Sequence, residues 1–374
     1  MSPVFKVLLT GDYLDQNAKL ACGDIGLGML KGISYIHASY LMDQKPNGDD
    51  PTYRDRLYSL EIQPHHVAHS NGLIVCRPWV KGSAFAQGAK NLVAIGRAGA
   101  GYDKVDLNAC TANDVVVFNS PDSLTHPTAS AALLLMLALA KRLREQERVA
   151  RTGRWEEQNK VKGDDLIGKT LGIVGLGNTG KELARLVSPF AMRVIAYSPR
   201  ADRAKAEALG VELADSLDDL LRESEFVSLH CRLEEKTRGM MGEREFRLMK
   251  KTAYFINVAR GELVQHEAQV RCLQERWIAG AGLDVFEQEP LPANDPLIGL
   301  DNVILTPHYL AATNQATRAS VTSVLKGMLQ VAQGRVPKNV LNAEVLRSPG
   351  FRTKLARFAK EPRERTAKPR PVRA

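Results

Sequence analysis

The chain has no apolar run long enough to cross a bilayer. The longest, residues 129–140, covers twelve positions and includes Ser130, against the roughly 20 that a spanning helix needs. An integral membrane protein is excluded on that ground. Cysteine is scarce and unpaired. Cys22, Cys76, Cys110, Cys231 and Cys272 never fall into a C-x-x-C spacing, which argues against a disulfide frame or a zinc site and for reduced thiols in a cytoplasmic setting. The opening MSPVFKVLLTGDYLDQ lacks a basic segment followed by an apolar one and carries Asp12 and Asp15, features that a targeting presequence avoids. There is no G-x-S-x-G elbow, so hydrolase chemistry has no support. His65, His66 and His69 follow Pro64 without a Glu or Cys partner at ligand spacing, and no metal is expected.

What is present fits a globular protein of two domains. At 374 residues, the length exceeds one ordinary domain. A net charge of +9 raises the question of nucleic acid. Residues 351–374 hold nine Lys/Arg and two Glu, a net of +7, which leaves +2 for the other 350 residues. The basicity belongs to a tail. Its KEPRERTAKPRPVRA segment has too little apolar content to repay its ordering entropy, so residues 346–374 are expected to be disordered. Nucleic acid is not expected as a partner except through that tail.

Short β-branched runs alternate with helical patterns. VFKVLL (4–9), GLIVC (72–76), LVAIG (92–96) and VVVF (115–118) are strand candidates in the first third. One long helical pattern begins near His126 and runs through ASAALLLMLALA into KRLREQERVARTGRW. Being apolar nearly all round, its first part must be buried between domains or subunits. From Gly168 the alternation restarts and continues to NVILTPH, with one more helix over about 313–333. The fold class is α/β, with doubly wound parallel sheets.

Gly175-Leu176-Gly177-Asn178-Thr179-Gly180 matches G-x-G-x-x-G directly after the strand TLGIV and at the start of a helix. That context is what dinucleotide binding requires: a tight turn, a close backbone approach to pyrophosphate and a helix N-terminus to receive it. The strand RVIAY should end in an acid for the ribose 2′-hydroxyl; instead Ser198, Pro199 and Arg200 follow, with Arg203 beyond. Without a carboxylate to repel a 2′-phosphate, and with a guanidinium to attract one, NADP(H) is favoured over NAD(H). NAD(H) stays open, since Arg200 and Arg203 can equally begin a solvated helix.

Three further segments end later strands: Asn257-Val258-Ala259-Arg260-Gly261, Asp284 through Glu289-Pro290, and Thr306-Pro307-His308. They bring one arginine, one carboxylate and one histidine to the end of the sheet where ligands bind. A guanidinium can clamp a carboxylate bidentately. An imidazolium can protonate a carbonyl oxygen as hydride arrives, and a carboxylate on its other nitrogen fixes the tautomer and favours the charged form.

At this point the chain resembles the D-isomer-specific 2-hydroxyacid dehydrogenases, which include phosphoglycerate dehydrogenase and glyoxylate/hydroxypyruvate reductases. The likeness runs from about Leu73 to Asn342. It is densest in GKTLGIVGLGNTG, LHCRLEEKTRGMMG, LMKKTAYFINVARGELV, AGAGLDVFEQEPLP and NVILTPH. The resemblance implies hydride transfer between NAD(P) and a 2-keto/D-2-hydroxy acid pair, with Arg260 on the substrate carboxylate, Glu289 orienting His308, and His308 as general acid and base. It implies that Asn178 and Thr179 line the pyrophosphate, that Asp284 meets the nicotinamide carboxamide, and that Cys231, Arg232, Val258 and Ala259 flank the cofactor. It further implies a substrate-binding domain split between 1–122 and 310–345 around a Rossmann domain at 123–309, and a homodimer that uses the apolar helix at 126–150. The loop Arg97–Asp103 matches a glycine-rich loop whose amides, at Ala98 and Gly99, meet substrate. Arg77 matches a residue that takes an anionic substrate tail.

Four positions depart from the pattern. Arg232 stands where the family has proline, and Tyr309-Leu310-Ala311-Ala312 replaces a glycine-rich stretch. Ala129-Ser130-Ala131-Ala132 lacks an acid, and Ser198 replaces the cofactor acid. A second reading keeps the fold and cofactor but makes the protein a nucleotide sensor acting through partner contacts; the complete Arg/Glu/His set weighs against it.

Overall fold

A computed structural model describes residues 4–50 and 52–359. The chain divides into two units, one built from Met1–Pro121 with the chain from Thr317, the other from Asp122–Ala316.

The first unit carries strands β1 (Phe5–Leu9), β2 (Ile36–Tyr40), β3 (Gly72–Val75), β4 (Ala94–Arg97) and β5 (Val116–Asn119). They form one parallel sheet in the order β2-β1-β3-β4-β5. Successive side chains alternate between faces. Phe5, Val7 and Leu9 join Val324, Leu325 and Met328 of the helix Asn314–Val331 on one face. Leu73, Val75, Ile95 and Val117 pack with Val67, Ala84 and Cys110 on the other. With both faces covered, the inner strands read as unbroken apolar runs, which is why they were legible. β2 was not expected: as an edge strand it buries only Ile36 fully, and IHASY has no apolar alternation.

The second unit holds β6 (Thr170–Val174), β7 (Arg193–Tyr197), β8 (Val211–Leu213), β9 (Phe226–Leu229), β10 (Tyr254–Asn257), β11 (Gly280–Leu283) and β12 (Val303–Leu305). All seven are parallel, in the order β12-β11-β10-β9-β6-β7-β8. The order reverses between β9 and β6, and the glycine-rich turn leaves β6 at that point. Among the described residues no helix is long and apolar enough to cross a membrane.

Two expectations need correction. The single long helix is two, Thr125–Ala140 and Leu143–Arg151, separated by Arg142 at φ +53°. The first buries Ala129, Ala132, Leu135 and Met136; the second buries only Val149. The ladder stops where the Ala140 carbonyl accepts the Asp164 amide (2.8 Å) and the Arg142 guanidinium turns to the Lys160 carbonyl (2.8 Å).

The disordered tail is corrected for its first part. Residues Pro349–Ala356 form a helix capped by Ser348. Phe351, Leu355 and Phe358 are buried and Phe358 meets Phe5 edge-on at 4.9 Å. Three apolar residues at i, i+4 and i+7 make a helical stripe, which a composition averaged over the tail concealed. The basic segment from residue 360 lies outside the described residues.

Phe351→Ala should therefore cost about 3–5 kcal/mol, read as a lower urea midpoint with an unchanged slope. A midpoint within error of the parent would show that the helix is not part of the first unit's core.

Candidate active site

The glycine-rich turn is shaped for a phosphate-bearing ligand. Gly175 has φ +100°, and a Cβ there would lie 2.6 Å from the Cys231 amide nitrogen, so β6 can turn only with glycine. A Cβ on Gly177 would meet nothing within 4 Å, which leaves open space before the helix Asn178–Val187. Among the described residues no acceptor meets the first-turn amides of Asn178, Thr179 and Gly180. Such amides, together with the helix dipole, hold anionic phosphate. The residues present fit a dinucleotide.

After β7, Ser198 is followed by an exposed Arg200 whose guanidinium lies 3.6 Å from Glu234. Arg203 lies 4.0 Å from Asp215. The nearest acid in sequence, Asp202, is occupied as a helix cap, accepting the Lys205 amide at 3.2 Å. Cys231 reaches the Met240 sulfur (3.7 Å), and burial pushes its thiol up to about 11. Arg232 is exposed, and its carbonyl accepts the Thr237 hydroxyl (2.7 Å).

The arginine turn is built on Asn257. This fully buried side chain donates to the Arg260 carbonyl (2.9 Å) and accepts the Ala259 amide (3.1 Å). Arg260 donates to the Ala259 carbonyl (2.7 Å). At Gly261 a Cβ would fall 1.9 Å from the Phe286 carbonyl carbon, so the arginine turn lies backbone to backbone against the loop that carries Glu289.

Asp284 ends β11 and is buried. Its amide donates to the Asn257 carbonyl (3.0 Å). Its Oδ1 accepts the Thr306 hydroxyl (2.7 Å) and the amides of Tyr309 (3.0 Å) and Leu310 (3.4 Å). Burial raises its carboxyl above the usual range despite those donors. The bonds clamp the turn in which His308 sits at φ +53°, a left-handed conformation that a non-glycine residue keeps only when its surroundings impose it. His308 Nδ1 lies 2.9 Å from both oxygens of Glu289, and Glu289 Oε1 also accepts the Phe286 amide (3.2 Å). Nδ1 thus carries the proton donated to the carboxylate, leaving Nε2 for chemistry.

The first unit holds the other expected residues. Arg77 follows β3 and is paired with Asp12, Nη1 to Oδ2 at 3.6 Å. The amides assigned to substrate are already used: Ala98 donates to the Val75 carbonyl (2.9 Å) and Gly99 to the Ser120 hydroxyl (2.8 Å). Among the described residues no acceptor meets the amides of Ala100 and Gly101, two positions further on. The histidines also have a partner the sequence did not show. Asp43 Oδ2 lies 3.1 Å from His65 Nε2 and 2.7 Å from His66 Nε2. His66 Nδ1, however, accepts the Gln63 amide (3.0 Å). Nε2 of His66 therefore bears the hydrogen and has no lone pair for a metal.

A dinucleotide cradle at the switch point of a doubly wound sheet, with arginine, glutamate and histidine on neighbouring strand ends, defines a nicotinamide-dependent oxidoreductase. The family model for the NAD-binding domain of D-isomer specific 2-hydroxyacid dehydrogenases matches residues 133–309. A glyoxylate reductase of Korarchaeum cryptofilum is 40% identical over 270 residues, covering 71% of this chain and 81% of the relative. One from Thermococcus kodakarensis is 42% identical over 272 residues, covering 70% and 81%. The crystal structure of a glyoxylate reductase from Paecilomyes thermophila superposes with a TM-score of 0.74 at 25% identity, over 91% of this chain and 99% of that one. The chain belongs to the D-isomer specific 2-hydroxyacid dehydrogenase family, NAD(P)-dependent enzymes that transfer a hydride between nicotinamide and a 2-keto/2-hydroxy acid pair.

His230, just past β9, was not singled out by the sequence reading. Its Nε2 meets the Ser228 hydroxyl (2.9 Å), while Nδ1 is buried and has no partner among the described residues. Burial lowers its pKa to about 4. An unfolded histidine takes its proton near 6.5 and the folded one does not, so stability is full above about 6.5 and falls as the pH drops toward 4, by roughly 2–3 kcal/mol. His230→Gln should flatten that acid limb in urea melts run between pH 7 and 4. Equal slopes for parent and variant would show that His230 does not carry it.

Proposed function

We propose that the protein reduces a small 2-keto acid to its D-2-hydroxy acid with NADPH as the preferred reductant. The observation that carries this reading is the Glu289–His308 contact (2.9 Å), held on a loop packed against the Arg260 turn. Arg260 binds and orients the substrate carboxylate. His308 delivers the proton from Nε2 to the carbonyl oxygen, and Glu289 holds the ring through Nδ1. When bound, the reduced nicotinamide supplies the hydride to carbon 2. Asn178 and Thr179 line the pyrophosphate, Cys231, Arg232, Val258 and Ala259 flank the dinucleotide, and Oδ2 of Asp284, outside the three bonds to Oδ1, takes the carboxamide.

We read Asp122–Ala316 as the dinucleotide domain and the other unit as the substrate domain. In the latter the Ala100 and Gly101 amides replace Ala98 and Gly99 as substrate donors. Arg77 is assigned to the far end of the substrate. The preference for NADPH rests on Ser198 and Arg200. Glu234 is no obstacle, because an exposed pair such as Arg200–Glu234 is worth little. A nucleotide sensor would have no use for a proton donor held in a left-handed turn.

Arg260→Ala should act mainly by raising KM for the keto acid. His308→Ala should lower kcat by about 10²–10⁴ with NADPH binding retained in fluorescence titration. Near-normal turnover of His308→Ala would remove the proton-transfer assignment. Steady-state rates with NADPH and NADH against glyoxylate, hydroxypyruvate, pyruvate and 2-ketoglutarate test both cofactor and reaction; a clear advantage for NADH would remove the role of Ser198 and Arg200.

The five thiols are free, which suits a reducing compartment such as the cytoplasm. A homodimer is supported by exposed apolar side chains in and just after the 126–150 segment, with Leu134 at 50%, Leu143 at 54%, Trp155 at 64% and Ile167 at 68% exposure. Light scattering should report a dimer for the parent and a monomer for the double variant Leu143→Glu/Trp155→Glu; a monomeric parent would rule out this assembly.

A further inference from the structure

The amino ends of the second sheet hold a charged cavity that the reaction does not use. It lies wholly within the second unit and has a volume of about 390 Å³, a size that suits a small molecule. One wall is the end of the helix Thr125–Ala140 together with the helix Leu143–Arg151. The other is made by residues at the start of β10, β11 and β12. Asn257, Asp284 and Thr306 stand at the opposite ends of those same strands, about 10 Å away at the usual rise per residue.

Four guanidinium groups line the cavity, from Arg142, Arg144, Arg148 and Arg276, against the carboxylates of Glu145 and Asp301. Glu145 is taken by Nε of Arg142 (3.1 Å) and Asp301 by Arg276. Asp164 also acts on Tyr254 in the cavity wall, but it faces Lys169 (3.7 Å) and adds no net charge. Arg144 donates to the Val303 carbonyl. Arg148 meets no acidic group among the described residues. The lining therefore carries an excess of two positive charges. Arg144 and Arg148 stand four apart on one helix face, where like charges repel. Arg142 and Arg276 keep φ at +53° and +58°, a left-handed conformation that glycine would take without strain. Crowding cations in this way is destabilising by itself, and a bound anion offsets it. Leu139 and Ile304 add apolar surface to the same walls, which an organic body would cover. Leu143, assigned above to the dimer contact, points about 100° away from Arg144 and about 140° away from Arg148 around the helix.

We propose that this cavity binds a small organic anion with at least two negative charges, a phosphate ester or a polycarboxylate, at a site separate from the dinucleotide and from the reacting acid. Guanidinium groups match either chemistry through paired hydrogen bonds. The inference does not depend on the function proposed above.

The test is calorimetric titration of the full chain saturated with NADPH or NADH, so that the phosphate cradle is already filled. The probes are glycerol 2-phosphate and citrate, with chloride at matched ionic strength as the control. At least one organic anion should bind once per chain with Kd of about 1 mM or tighter, and chloride should not. Arg148→Glu removes an exposed cation without a partner and should weaken binding by about tenfold or more, the loss of one charge-assisted hydrogen bond. Arg148→Glu/Arg276→Gly should abolish it, with dinucleotide affinity and circular dichroism as in the parent. Arg260→Ala should leave it unchanged. Binding that survived the double variant, or that was lost with Arg260→Ala, would place the anion elsewhere and overturn the proposal. So would a parent that bound neither organic anion. A double variant found monomeric by light scattering, where the parent is a dimer, would overturn it too, because the arginines would then hold acidic side chains of a second copy. None of these outcomes alters the dehydrogenase reading.

Discussion

A single buried carboxylate oxygen organises the reactive end of the second unit. Asp284 Oδ1 gathers the Thr306 hydroxyl and two amides that follow His308, while its own amide ties β11 to the end of β10. These bonds brace the turn in which His308 keeps a positive φ, and with it the bearing of the imidazole on Glu289. The desolvation that raises the Asp284 carboxyl is the cost of placing that anchor inside the protein; the three donors offset part of it. The same aspartate therefore links the strand end that carries arginine to the turn that carries histidine. Gly261 completes the link by letting two backbones meet where no side chain fits.

The site was legible to different depths for physical reasons. Arg260, Glu289 and His308 stood out because strand ends are marked by the loss of apolar alternation, and their side chains are the chemistry. Asn257 appeared in the same segment, but its work is two local hydrogen bonds, which no residue pattern advertises. The Gly99 amide could not be judged from sequence because its acceptor, Ser120, lies 21 positions away. The Asp12–Arg77 pair spans 65 positions and depends on which strands are neighbours, a property of sheet order rather than of spacing. The Asp43 contact to the two histidines was hidden in the same way.

The fold was read best where burial is complete. β3 and the edge strand β5, buried at every position, were evident, whereas the edge strands β2 and β8 were missed because most of their side chains meet water. The helix after residue 125 was recognised but its break was not. An apolar stretch followed by a charged one is compatible with a single amphipathic rod, and only the competing acceptors at Ala140 and Lys160 decide otherwise. At the chain's end, averaging over a basic stretch obscured three residues on one helical face. Net charge speaks to partners and solubility, and a short apolar stripe within it can still fold.

The contact of Phe358 with Phe5 has a bearing on biosynthesis. The two rings meet in the core of the first unit although they come from opposite ends of the described chain. During vectorial synthesis the inserted unit, Asp122–Ala316, has left the ribosome in full while its host still lacks the long helix from Asn314 and the helix that brings Phe351 and Phe358. Domains tend to fold as units as they emerge. The nucleotide-binding half can therefore mature first, and the nascent amino-terminal sheet must wait with one apolar face uncovered until those two helices have been made.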